Sequence, residues 1–80
     1  MSYMFEVFYK APANPKRETA LTERVARLGG RLSYREDPDG NGAQSVSLTY
    51  EFGSRDQAEA AATALREQGE HVEGPVDYGQ

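Results

Sequence analysis

Ser45-Val46-Ser47-Leu48-Thr49-Tyr50-Glu51-Phe52-Gly53-Ser54 is the stretch on which the reading of this chain turns. Val46, Leu48, Tyr50 and Phe52 alternate with Ser45, Ser47, Thr49 and Glu51, a period of two that predicts a strand with one buried face. Gly53 breaks the alternation. Ser54, with Gln57 three residues on, has the spacing of a capping box and predicts a helix start. Ala58, Ala61, Ala62 and Leu65 then recur at helical spacing, and Gly69 ends the stripe because glycine tolerates the left-handed conformation that closes a helix.

The same punctuation stands forty residues earlier. Asn14-Pro15 reads as an N-cap followed by proline at the first helical position, where its missing N–H costs nothing. Leu21, Val25 and Leu28 form the apolar stripe, and Gly29-Gly30 stops it. A shift of forty takes Asn14 to Ser54, Val25 to Leu65, Gly29 to Gly69 and Leu32 to Val72. The chain therefore divides into two units of equal size.

Strands flank both helices. Tyr3, Phe5, Val7 and Tyr9 alternate with Met4, Glu6, Phe8 and Lys10, and Leu32 and Tyr34 alternate with Arg31, Ser33 and Arg35. His71-Val72-Glu73 and Val76 supply a fourth strand that Gly74-Pro75 confines to an edge or a bulge. Two interleaved right-handed βαβ units give an α+β, ferredoxin-like βαββαβ sandwich: a four-stranded antiparallel sheet in the order 4-1-3-2 with both helices on one face. The expectation is a single domain over residues 1–80, a hairpin loop at 37–43 and a loose tail at 77–80.

By alternation, Phe5, Val7, Tyr9, Leu32, Tyr34, Val46, Leu48, Tyr50, Phe52 and Val72 face the helices. The opposite, open face then carries Met4, Glu6 and Phe8 on strand one, Ser47 and Thr49 on strand three, Arg31, Ser33 and Arg35 on strand two, and His71 and Glu73 on strand four. Met4, Glu6, Phe8, Ser47, Thr49, Arg35 and His71 are the candidate interaction residues. Phe8 and Met4 supply an apolar centre at which a second copy could pair.

Composition narrows the partners. The net charge is −4, and it is uneven: residues 1–40 hold seven basic and six acidic groups, residues 41–80 two basic and seven acidic. Phosphate binding draws on lysine and arginine, so the balance argues against nucleic acid. Strand three also offers Ser47 and Thr49 where RNA-binding sheets of this shape place stacking aromatics. The chain has no isoleucine, tryptophan or cysteine, and ten alanines, so its core is thin and self-association is one way to bury more surface. Met1 to Glu6 holds neither a basic region nor an apolar run, which predicts no membrane contact and, with no cysteine, a cytoplasmic protein.

Chemistry is sparse. Asp37, Asp39, Asn41 and Gly42 match the first half of a calcium loop, but Gln44 and Leu48 occupy its eighth and twelfth positions, so a turn-rich hairpin explains the run better. His71 is the lone histidine, beside Glu70 and Glu73, without ligand or triad partners at recognisable spacing. No serine sits in a nucleophile elbow, and Gly29-Gly30 follows a helix instead of opening one. Lys16, Arg17, Arg24 and Arg27 make a modest basic cluster on the first helix.

These residues predict no catalytic set, metal or cofactor. The leading expectation is a small non-catalytic regulatory or protein-interaction module, binding a protein partner or itself as a homodimer through the open face. One alternative is a sensor of amino-acid-like molecules at a dimer boundary, using Ala11-Pro12-Ala13-Asn14. The other is a small dimeric enzyme with His71 as base.

Overall fold

Each helix starts on a side-chain cap and stops at a glycine, at matching places in the two halves. The computed structural model describes residues 2–38 and 44–77. Its elements run β1 (Tyr3–Lys10), α1 (Pro15–Arg27), β2 (Gly30–Glu36), β3 (Ser45–Phe52), α2 (Arg55–Glu67) and β4 (His71–Asp77). Asn14 Oδ1 accepts the Arg17 N–H at 3.1 Å, and Ser54 Oγ accepts the Gln57 N–H at 3.4 Å, so each satisfies a donor that helix geometry leaves open. Gly29 and Gly69 take φ of 97° and 99°, the left-handed region that ends a helix at little cost only for glycine.

The sheet order is β2-β3-β1-β4 with every neighbouring pair antiparallel, which is the expected 4-1-3-2 read from the other side. β1 and β3 run together from Tyr3 opposite Phe52 to Lys10 opposite Ser45 without a break. Phe5, Val7, Tyr9, Val46, Leu48, Tyr50, Phe52 and Val72 form one buried cluster with Leu21 and Val25 of α1 and Ala58, Ala61, Ala62 and Leu65 of α2. Burying each large side chain contributes about 1.5–3 kcal/mol, and the alanines let α2 approach the sheet closely. The Phe5 ring lies 5.9 Å from Tyr50 and 5.3 Å from Phe52, tilted against both.

Both edge strands carry an irregularity. On β4 the register shifts between Met4 and Glu6, where Gly74-Pro75 is inserted, so Val76 comes to lie opposite Met4. Gly74 has φ of 109°, and a Cβ there would come within 3.0 Å of the Met4 carbonyl oxygen. The irregularity on β2 has no such marker. Leu32 pairs with Tyr50, and Tyr34 with Thr49, leaving Ser33 as an extra residue.

That bulge corrects the expected face of β2. Because one inserted residue moves every later side chain to the opposite side, Tyr34 sits level with Thr49 on the open face, and Arg35 sits level with buried Leu48 on the helix side. Tyr34 is 61% exposed instead of buried. Leu32 keeps the helix side but is 39% exposed, because α1 leaves the β2 edge partly uncovered. A second correction concerns the C-terminus: Asp77 belongs to β4, opposite Tyr3, whereas residues 78–80 lie outside the described residues. Residues 39–43, with Asp39, Asn41 and Gly42 of the calcium-like run, also lie outside them.

Candidate interaction face

Cross-strand partners share a side, so the register builds the open face row by row. One row runs Arg31, Glu51, Met4, Val76; the next Tyr34, Thr49, Glu6, Glu73; the third Glu36, Ser47, Phe8, His71. Met4, Glu6, Phe8, Ser47, Thr49 and His71 thus stand together as the alternation predicted, and Arg35 does not. Tyr34 and Val76 join them. Sequence reasoning missed Tyr34 because it depends on an unmarked bulge, whereas Gly74-Pro75 was an available signal for Val76.

Polar contacts tie this face down. Ser47, 8% exposed, donates to Glu6 Oε2 at 3.3 Å. The Phe8 and His71 rings lie 5.8 Å apart, and His71 Nε2 is 3.2 Å from Glu73 Oε2. His71 has 66% of its side chain exposed, on an edge strand. At the far end, Arg31 reaches Glu51 at 2.7 Å and holds its carboxyl below the usual carboxylate range. The face carries Glu6, Glu36, Glu51 and Glu73 against Arg31 and Lys10, an acidic balance around an apolar centre.

Arg35 belongs to a second cluster, at the end of the sheet where β1 turns into α1. Its guanidinium donates to Glu18 (2.5 and 3.0 Å) and to Asp37 (2.5 Å), which raises its already high pKa further. The Tyr9 hydroxyl donates to Glu18 and accepts the Asn14 N–H at 2.7 Å. Hydrogen bonds from Arg35 hold the Glu18 carboxyl low, while burial, reinforced by Glu18, pushes the Tyr9 phenol up. Arg17 lies 4.9 Å from the Tyr9 ring centre and bonds Glu70 at 2.7 Å.

This cluster surrounds the loop that a sensor would use, and its groups are engaged with one another. Ala11 N–H is likewise taken by the Gln44 carbonyl at 2.7 Å. Among the described residues, no group of three metal-ligating side chains converges, and no helix is long and apolar enough to cross a membrane. Neither a protein-family model nor a curated protein sequence matches this chain.

Proposed function

We propose that this chain is a small non-catalytic protein-interaction module that offers its open sheet face to a partner bearing apolar and basic side chains. The observation that carries this reading is the composition of the face once both bulges are counted. Tyr34 and Val76, 61% and 51% exposed, join Met4 and Phe8, so among the described residues two of the three exposed large hydrophobic side chains sit on one face. Exposed apolar groups rimmed by charge are the usual mark of a contact surface. Glu6, Glu36, Glu51 and Glu73 favour a basic partner and repel nucleic-acid phosphate. They also oppose face-to-face pairing of two copies, since each acidic face would meet its own charge.

The reading is tested by recovering partners from the native host on immobilised chain, alongside a Phe8→Glu variant whose circular dichroism matches the wild type. A protein retained by the wild type, lost by the variant and binding directly when purified supports the open face. Direct binding that survives Phe8→Glu unchanged contradicts it.

A further inference from the structure

The two edges of the sheet are treated differently. On β4, Pro75 removes a donor, and Arg66 of α2 donates to the carbonyl oxygens of Val72 (3.1 Å) and Gly74 (2.7 Å), so the chain's own guanidinium occupies acceptors an incoming strand would need. On β2, Gly30–Glu36 contains no proline, and among the described residues none of its backbone groups bonds to backbone outside the β2–β3 ladder. Leu32, half exposed, lines a shallow groove with Pro15, Thr19 and Thr22 of α1. One edge is closed and the other is open.

We infer that β2 pairs antiparallel with β2 of a second copy across a twofold axis, extending the sheet continuously through both chains. An isologous contact requires a strand complementary to itself. In β2 the bulge creates that match. Arg31 and Glu36 lie on the open side, and Leu32 and Arg35 on the helix side. Antiparallel pairing that sets Ser33 opposite the partner's Tyr34 puts Arg31 opposite the partner's Glu36 and Leu32 opposite the partner's Arg35. Sides match in both of these pairs, and the twofold repeats the opposite-charge pair at both ends of the seam. The arginine stem covers Leu32, and the Leu32 groove closes against the second copy. Without the bulge Arg31 and Glu36 would lie on opposite sides and could not meet.

Sedimentation equilibrium tests this directly. The wild type should reach twice the 8.8 kDa chain mass. Arg31→Glu and Glu36→Arg should each weaken the dimer about tenfold or more, because each variant sets like charges across both ends. An equimolar mixture of the two variants should regain the wild-type affinity, since every facing pair is then opposite in charge. Phe8→Glu, on the open face, should leave the dimer intact, which separates this contact from the proposed partner site. A chain that stays monomeric at about 1 mM, where even a millimolar association would register, overturns the inference. So does a dimer that neither charge variant weakens, one that the mixture fails to restore, or one that Phe8→Glu dissociates.

Discussion

Arg35 on β2 grips Glu18 on α1 with two hydrogen bonds, Nε to Oε1 at 2.5 Å and Nη2 to Oε2 at 3.0 Å. The pair joins residues 17 apart in sequence and fixes how α1 sits over the strand. Glu18 is 14% exposed, so its carboxylate relies on protein donors more than on water.

The pair should make stability sensitive to acid. The folded pKa of Glu18 lies below its ordinary 4.5, so its contribution is present above that value and is lost as pH falls through the lowered folded one. Glu51, held low by Arg31, acts in the same direction. Urea midpoints measured from pH 7 downward should fall below about pH 4.5, and Glu18→Gln should lower stability by about 1 kcal/mol at pH 7 while flattening that acid limb. A variant with the full wild-type acid dependence would remove Glu18 from the account.

Tyr9 and Tyr50 should govern the alkaline limb. Burial is the chief cause that raises both phenols above 10.0, offset at Tyr50 by the hydroxyl of Thr22 at 2.9 Å. A raised folded pKa gives stability that is complete below about pH 10 and is lost as pH rises through the raised values. Ultraviolet titration of Tyr9→Phe and of Tyr50→Phe should each lose one late-ionising tyrosine relative to the wild type. Tyr9→Phe also strips a partner from the Asn14 N–H and should cost about 1–2 kcal/mol.

Gly30 should tolerate no side chain. A Cβ there would stand 2.5 Å from the ring of Phe52, which is 1% exposed and packed in the core. Gly30→Ala should cost about 2–3 kcal/mol in urea unfolding. Combined with Phe52→Leu, the total should be smaller than the sum of the two single costs, because the smaller side chain relieves the clash. Strict additivity would show that the close approach is absent.

The helix caps should be nearly interchangeable. Asn14→Ala and Ser54→Ala should each cost about 1 kcal/mol, with Asn14 the larger because its bond is shorter, 3.1 against 3.4 Å. Thermal unfolding of the two variants checks this, and a negligible effect at Asn14 would contradict it.

The parts of the fold that were legible in the sequence are those set by local chemistry. Asn14-Pro15, Ser54, Gly29 and Gly69 mark the helix ends through their own side chains and backbone freedom, and the alternation in β1 and β3 is uninterrupted. β4 announced its irregularity through Gly74-Pro75. β2 did not: Arg31 to Glu36 contains no glycine or proline, and its alternation suits an unbulged strand equally well. What decides its register is non-local, since Arg35 reaches a carboxylate on α1 only after Ser33 is inserted. The same misreading buried Tyr34 and left the end cluster of Tyr9, Arg17, Glu18, Arg35 and Glu70 unseen.

The open face, the self-complementary edge and the end cluster all depend on Tyr34 and Arg35 lying on opposite sides of β2 from those the alternation implied. Side-chain nuclear Overhauser spectra of the labelled protein test that placement most directly. The expected contacts run from the Tyr34 ring to the Thr49 methyl group, with none to the helix-side methyl groups of Leu48 and Leu21. A Tyr34 ring in contact with Leu48 or Leu21 would contradict it.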